Sequence, residues 1–189
     1  MYTPGIKIVE DYSKGNPHER FKLIYKNYRV FTKLVDSYEV GVYNSIICEK
    51  EYNRRQKMCG AEELGVRVMT GGCSDRVARE AIEHISIQQA IREGNYVDDL
   101  LQDTDEPEKH KRDILTIRMM RYEFEVFEMH LKALPPRERR ITYKYLCKEV
   151  KADQLAAEEE MADQTLRNIL SRTRKSLEKD MIPFFRESI

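Results

Sequence analysis

The chain has 189 residues, of which 41% are hydrophobic and 35% charged, and its 33 basic residues are balanced by 33 acidic ones. A chain of this length and hydrophobic content can build one ordinary domain or two small ones, which excludes disorder throughout. The formal net charge of zero identifies no class of partner, so any strongly charged surface has to be local.

Charged residues interrupt every hydrophobic stretch well before it reaches the roughly 20 apolar residues that span a bilayer, so the protein is expected to be soluble. The cysteines form no CxxC pair, have no histidine at zinc-ligand spacing and follow no signal-peptide pattern. They are therefore expected to be reduced thiols of a cytoplasmic protein. They are Cys48, Cys59, Cys73 and Cys147.

The first 16 residues include one proline and two glycines and show little periodicity, which predicts a flexible N-terminal arm over 1–16. Pro17 suits the first turn of a helix. From His18 to about Lys57, apolar and aromatic residues recur at spacings of three and four, which predicts a long amphipathic helix with a candidate break at Gly41. This stripe consists of Phe21, Ile24, Tyr28, Phe31, Val35, Tyr38, Val42 and Ile46.

Four glycines between Cys59 and Cys73 predict a loop. This loop contains neither GxxxxGK[ST] nor GxGxxG, the two glycine-rich motifs that bind phosphate. Ser74 and Asp75 then stand where a helix N-cap belongs, and Gly94 ends the helix that follows. Its predicted buried face is Val77, Ala78, Ala81, Ile82, Ile85 and Ile91. We expect residues 17–94 to form an N-terminal helical domain for oligomerisation or partner binding.

Five acidic residues lie between Asn95 and Glu106, which predicts an acidic linker over 95–106 and a domain boundary there. The calcium-loop pattern is missing, so a solvated linker is favoured over a metal site. Pro107 can begin a third long helix. Its predicted buried stripe is Ile114, Ile117, Phe124, Phe127 and Leu131.

After Leu134, two prolines stop the preceding helix, and the sequence as far as Lys179 divides into three short helices. A connecting helix and this three-helix region make up the C-terminal domain, 107–189. The inward-facing residues predicted for the first two short helices and the next turn are Ile141, Tyr145, Leu146, Leu155, Ala156 and Met161.

The third short helix, from Ala162 or Asp163 to about Asp180, is predicted to bury one apolar face and to expose a basic, amide-rich face. The predicted buried residues are Leu166, Ile169, Leu170, Thr173 and Leu177. In the major groove, Gln and Asn pair bidentately with adenine and Arg pairs with guanine. The predicted base readers are Gln164, Arg167, Asn168 and Ser171. The other candidate DNA-binding residues are Thr165, Arg172, Arg174, Lys175, Arg137 and Arg139, and a merely solvated basic face is the alternative.

The run from Leu134 to Lys179 resembles the promoter-reading C-terminal domain of bacterial sigma factors, which typically read LPxRER, an apolar helix, and then LxxIAxxLGxSxxTVxxxLxRARxxL. The residues in register are Leu134, Pro135, Arg137, Glu138, Arg139, Leu155, Ala156, Thr165, Leu166, Leu170, Arg172, Arg174, Lys175 and Leu177. Glu159 and Glu160 replace the Leu-Gly of the turn, and Ala162 replaces the Ser or Thr cap. The resemblance implies an all-α protein in which long amphipathic N-terminal helices join a C-terminal sigma-like helix-turn-helix.

The segment GGCSDRVAREAIE, from Gly71 to Glu83, is similar to the SDP-type segment that precedes a sigma-like helix-turn-helix in phage regulators of the ArpU and RinA families. The residues that carry this similarity are Ser74, Asp75, Val77, Ala78, Ala81 and Ile82, and Arg76 stands where those families often have proline. The similarity implies a phage or prophage transcriptional regulator that acts on promoter DNA with host RNA polymerase.

The four histidines are scattered and none lies in a catalytic motif, so neither an enzyme nor a cofactor nor a metal is expected. Two other functions stay open: a helical protein-interaction adaptor, and a phage DNA-packaging or recombination accessory protein. Failure to bind DNA would favour the adaptor, and a ring-shaped assembly would favour the accessory protein. The expected partners are double-stranded DNA, host RNA polymerase and a second copy of the chain, with no membrane.

Overall fold

A computed structural model describes residues 4–59, 76–95, 98–148 and 151–185 of the chain. All regular structure in these ranges is helical, so the predicted all-α class is confirmed. The α-helices are α1 (Pro4–Lys14), α2 (Pro17–Cys59), α3 (Arg76–Glu93), α4 (Pro107–Ala133), α5 (Pro136–Cys147), α6 (Ala152–Glu158) and α7 (Asp163–Met181). Short 3₁₀-helices lie at Asp98–Leu101 and Ile182–Phe184.

The chain groups into two compact units, one of Met1–Val35 with Met119–Ile189 and the other of Asp36–Arg118. Helices α2 and α4 each contribute residues to both units. This grouping differs from the predicted domain boundary in the acidic segment, because sequence alone cannot show that two long helices are shared. The predicted domains 17–94 and 107–189 stay predictions.

The ends of several helices follow from local chemistry. At the start of α2, the Glu19 N–H donates to Asn16 Oδ1 (3.0 Å) and the Asn16 N–H donates to Glu19 Oε2 (2.9 Å), which forms a reciprocal cap ahead of Pro17. Helix α4 ends at Ala133, immediately before Leu134 and the two prolines that were predicted to stop it.

The core of the first unit is built from the N-terminal part of α2 and the C-terminal part of α4. Phe21, Ile24 and Phe31 of α2 are fully buried, as is Phe127 of α4. The rings of Phe31 and Phe124 stack with centroids 5.2 Å apart, and those of Phe21 and Phe127 are 6.0 Å apart. These apolar stripes confirm the predicted buried faces, and α2 runs without a break through Gly41.

Helix α1 lies where the sequence predicted a flexible arm, so that prediction is wrong for Pro4–Lys14. Val9 and Tyr12 are buried, and the Tyr12 ring centroid lies 5.7 Å from that of Phe31. A helix of 11 residues is marginal by itself and depends on packing for its stability. Two buried residues one turn apart are too weak a pattern to predict it.

A fully buried charged cluster lies in the first unit and comprises Tyr12, Arg20 and Glu123. Arg20 Nη2 lies 3.0 Å from Glu123 Oε1, and the Tyr12 hydroxyl donates to Glu123 Oε2 at 2.6 Å. Burial raises the pKa of Glu123 to about 7, although the Tyr12 hydroxyl and the Arg20 guanidinium both favour the carboxylate. The cluster joins α1, α2 and α4.

The second unit has a core of aliphatic residues from α2, α3 and α4. These are Val42, Ile46, Ile87, Ala90, Ile91, Leu101, Ile114 and Ile117. Most of the predicted buried face of α3 is wrong, because Ala78 and Ala81 are exposed and Ile82 and Ile85 are 63% and 62% exposed. Ile91 is buried as predicted, and Ile87, which was not predicted, is buried as well. The four isoleucines lie on two sides of the helix, so packing decides which side is buried. The side chain of Val77 lies outside the described residues.

Part of the predicted acidic linker is packed rather than solvated. Leu101 and Thr104 are buried. The Asn53 side chain of α2 donates to the Asp103 carbonyl at 3.0 Å, and Lys57 Nζ lies 2.7 Å from Asp103 Oδ1. Polar groups of α2 therefore bind the segment that follows the 3₁₀-helix Asp98–Leu101.

Candidate nucleic-acid interface

Helices α5, α6 and α7 share a small core. It consists of buried Ile141, Leu155, Ala156, Leu166 and Leu170, with Met161 and Ile169 packed against it. Ala156 is small enough to let a neighbouring helix approach closely. These inward positions agree with the predicted ones, except that Tyr145 is 39% exposed. The core fixes which face of α7 is left for solvent.

The turn between α6 and α7 spans residues 159–162 and has the hydrogen bonds of a Schellman motif. The Met161 N–H donates to the Ala156 carbonyl (3.0 Å), and the Glu160 N–H donates to the Ala157 carbonyl (3.2 Å). Glu160 has φ +49°, so it occupies the left-handed position that glycine usually takes. This is the position where the sigma-factor pattern has glycine.

Two ion pairs connect α5 to the C-terminal end of α6. Arg140 binds Glu159 through two hydrogen bonds, Nε to Oε1 at 2.9 Å and Nη2 to Oε2 at 2.5 Å. Lys144 Nζ lies 2.7 Å from Glu158 Oε2. The hydrogen bonds from the Arg140 guanidinium hold the pKa of Glu159 below its usual range. Glu158 and Glu159 are therefore each paired with a cation of α5.

The exposed face of α7 carries most of the residues predicted to bind DNA. Gln164, Thr165, Arg167, Asn168, Ser171, Arg172 and Lys175 are all exposed. On the opposite face Leu166, Leu170, Thr173 and Leu177 are buried. Gln164 Nε2 donates to Asn168 Oδ1 at 3.0 Å, so the two amides are adjacent and share an orientation. The arrangement brings amide, hydroxyl and guanidinium groups together on one side of one helix.

Two of the predicted phosphate-binding arginines already have partners within the protein. Arg172 Nη2 lies 2.7 Å from Glu138 Oε1 of α5. The Arg174 guanidinium lies 5.3 Å from the centroid of the Tyr25 ring, and Arg174 is half-buried rather than fully exposed. Burial raises the pKa of Tyr25 to about 12. Both arginines are held in place along the sides of the α7 face.

The remaining predicted cations are differently arranged. Arg137 and Arg139 are exposed in the first turn of α5, and Arg139 Nη1 donates to the Lys132 carbonyl at 3.2 Å. Within the described part of the chain, Arg167 and Lys175 make no ion pair or hydrogen bond through their side chains. Among the α7 residues predicted to bind DNA, these two cations are therefore the best placed to meet an external anion.

A shallow groove of about 450 Å³ near the C-terminal end of α7 was not anticipated from the sequence. It is lined by His18, Lys175, Glu178, Lys179, Ile182 and Pro183. His18 Nδ1 lies 3.0 Å from Glu178 Oε1, a contact between α2 and α7 across 160 positions of the chain. No local pattern could have predicted that contact. It extends the polar surface of α7 onto α2.

The described residues were also compared with the requirements of a metal site, a disulfide bond and a membrane-spanning helix. There, no group of three or more His, Cys, Asp or Glu side chains is placed to hold a metal ion. Neither Cys48 nor Cys147 forms a disulfide bond within the described residues. In the same ranges, no helix combines the length and the apolar character that crossing a membrane requires.

No family model, curated protein or solved structure matches this chain. The resemblances to sigma factors and to the ArpU and RinA regulators therefore depend on the matching residues alone.

Proposed function

We propose that α5, α6 and α7 form a sigma-like helix-turn-helix, with α7 as its recognition helix, in a sequence-specific DNA-binding transcriptional regulator. The observation that carries the proposal is the two-sided character of α7. Its buried residues anchor it to α5 and α6, while Gln164, Arg167, Asn168 and Ser171 stay exposed. The protein acts by binding, not by catalysis.

The chemistry of this face suits base recognition. The major groove of B-DNA is about 12 Å wide and admits one α-helix. Gln164 and Asn168 lie one turn apart and can each donate to and accept from adenine. Arg167 lies beside them without an internal partner in the described residues and can bind guanine bidentately. Ser171 supplies a hydroxyl one turn further along.

Phosphate contacts come from the cations that border this face. Lys175 continues the line of base readers, Arg172 and Arg174 lie beside it, and Arg137 and Arg139 lie in the first turn of α5. Glu138 and the Tyr25 ring orient Arg172 and Arg174 before DNA arrives, which lowers the entropy lost on binding. Such contacts set affinity and register but carry no sequence information.

The biological setting follows from the two sequence resemblances. We propose that the protein is a phage or prophage gene activator that binds promoter DNA and works with host RNA polymerase. The N-terminal helices would then position the helix-turn-helix or dimerise the protein. Two contacts between α2 and α7 in the first unit support a role for α2 in orienting the helix-turn-helix. They join His18 to Glu178 and Tyr25 to Arg174.

Selection of bound duplexes from a random DNA pool, at two salt concentrations, tests the proposal. We expect one enriched motif at both concentrations and a total affinity that falls as salt rises, since phosphate contacts release counterions. Salt-sensitive binding without an enriched motif would contradict sequence-specific regulation and would favour a packaging or recombination accessory. No binding at either concentration would favour a protein-interaction adaptor.

A further inference from the structure

We propose that the Arg140–Glu159 pair is a positioning device that sets the angle of α7 for base readout, a role that rests on the proposed function. The pair occupies the turn at the point where the chain departs from the sigma-factor pattern. There, a bidentate ion pair and a left-handed glutamate stand in place of Leu-Gly.

The geometry of the pair is that of a rigid connection. The guanidinium of Arg140 presents two parallel donors, Nε and Nη2, to the two oxygens of Glu159. This fork fixes both distance and orientation, which a single ammonium cannot do. The Glu159 side chain is only 6% exposed, whereas that of Arg140 is 59% exposed. Most of the Glu159 side chain is therefore covered in the folded protein.

A neighbouring contact repeats the connection one helical turn along α5. Lys144 lies four residues after Arg140 and pairs with Glu158, the residue before Glu159. Two adjacent cations of α5 thus hold two adjacent carboxylates at the end of α6. Negative charge at a helix C-terminus is unfavourable, and these cations offset it. The end of α6 is fixed to α5 at two points.

The start of α7 needs such support because its own cap is weak. Ala162 is the N-cap residue and forms no side-chain cap hydrogen bond. Glu160 is in the left-handed conformation, which non-glycine residues adopt at a cost. The direction of α7 therefore depends on the helical core and on the Arg140–Glu159 pair. Gln164 and Arg167 lie within the first two turns beyond this point.

A positioning role and a purely electrostatic role predict different results. If Glu159 acts only by its charge, removing that charge near DNA tightens binding to every sequence, and the preference for the selected site is unchanged. If Glu159 acts by position, its removal misaligns α7, and the preference for the selected site falls. Hydrogen bonds to bases tolerate only small errors in distance and angle, so the preference is the sensitive quantity.

Two variants of the whole chain separate these roles. Glu159→Gln removes the charge and keeps the shape of the side chain. Arg140→Lys keeps the positive charge and removes the two parallel donors, Nε and Nη2, of the guanidinium. Glu106→Gln is the control, because it removes one carboxylate from the exposed Glu106–Lys109 pair of comparable length, 2.7 Å. For each protein, affinity is measured for the selected duplex and for a scrambled duplex, together with the melting temperature.

We expect Glu159→Gln to lower the ratio of the two affinities by roughly tenfold, the discrimination that one good base contact provides. Arg140→Lys is expected to lower the ratio less, with unchanged affinity for the scrambled duplex. Hydrogen exchange at the amides of Glu160 and Met161 should speed up in both variants without DNA, while the melting temperature stays near that of Glu106→Gln.

Ratios equal to the wild-type ratio in both variants would overturn the positioning role and leave the proposed function intact. Tighter binding of Glu159→Gln to both duplexes with an unchanged ratio would do the same and would assign Glu159 an electrostatic role. A wild-type protein without preference for any duplex would overturn the proposed function, and the positioning role with it.

Discussion

Two carboxylate–guanidinium pairs in the same unit differ in where they lie and in what they do. Arg20 and Glu123 are both completely buried, whereas Arg140 is 59% exposed and only its partner Glu159 is covered. A buried charge cannot return to water when its partner is lost, but an exposed arginine can. The first pair therefore matters for stability and the second for the geometry of α7.

The largest expected effect comes from breaking the buried pair. Glu123→Ala leaves the Arg20 guanidinium buried without its carboxylate, and we expect a loss of about 3 to 5 kcal/mol in the free energy of unfolding. Urea denaturation measures it. Tyr12→Phe is the matched variant, since it removes one hydrogen bond to the same carboxylate and should cost about 1.5 to 3 kcal/mol. Equal, small losses in both variants would show that the cluster is not buried as described.

The next effect is a pH dependence that only the buried pair should show. Burial raises the pKa of Glu123 from 4.5 to about 7, so the folded protein holds a proton that the unfolded chain releases. The stability from this group is full below about pH 4.5 and is lost as the pH rises through about 7. The slope for one proton is at most about 1.4 kcal/mol per pH unit.

Urea denaturation of wild type and Glu123→Gln between pH 5 and about 8 isolates this term, because the amide cannot titrate. We expect wild-type stability to fall with rising pH relative to the variant. A difference that stays constant across the range, or that grows in favour of wild type, would contradict the raised pKa.

A smaller effect is expected at the edge of the α7 face that we propose binds DNA. Arg174→Ala should weaken binding to all sequences alike and should reduce the slope of log affinity against log salt by about 1. Arg112→Ala removes an exposed arginine of α4 and is the control, for which no change in slope is expected. Loss of affinity for the selected duplex alone would instead make Arg174 a base reader.

The smallest effect concerns the turn itself. Glu160→Gly should stabilise the protein by about 1 kcal/mol, because glycine adopts the left-handed conformation without the penalty of a side chain. Ala157→Gly, in the last turn of α6, should instead destabilise it by about 1 kcal/mol. Thermal or chemical denaturation distinguishes the two signs. If both glycines destabilise the protein, the turn does not have this conformation.

Strong local periodicity explains what the sequence could predict. The stripes of α2 and α4 and the two faces of α7 repeat at helical spacing, and the structure confirms most of their predicted buried residues. Tyr38, Phe124 and Ile169 are only half-buried. Helix α1 was missed because, among its described side chains, only Val9 and Tyr12 are buried, and two residues one turn apart are too weak a pattern. The buried face of α3 was mostly wrong because its isoleucines lie on two sides, and packing with other helices decides between them.

The candidate site was predictable in composition but not in its contacts. Sequence analysis identified the exposed residues of α7, since their positions alternate with a buried stripe. It could not identify Glu138 as the partner of Arg172, or Tyr25 as the partner of Arg174, because these residues are far apart in the chain. The Arg140–Glu159 pair was equally invisible, since Arg140 belongs to no motif and Glu159 was recognised only as a departure from the sigma-factor pattern.

The most direct test of α7 as a recognition helix is the affinity of Arg167→Ala for the selected duplex and for every single-base variant of it. We expect a loss of about 1 to 3 kcal/mol on the selected duplex, with preference relaxed at one base pair and retained at the others. Unchanged affinity and unchanged preference at every position would contradict the assignment of this face of α7 to DNA.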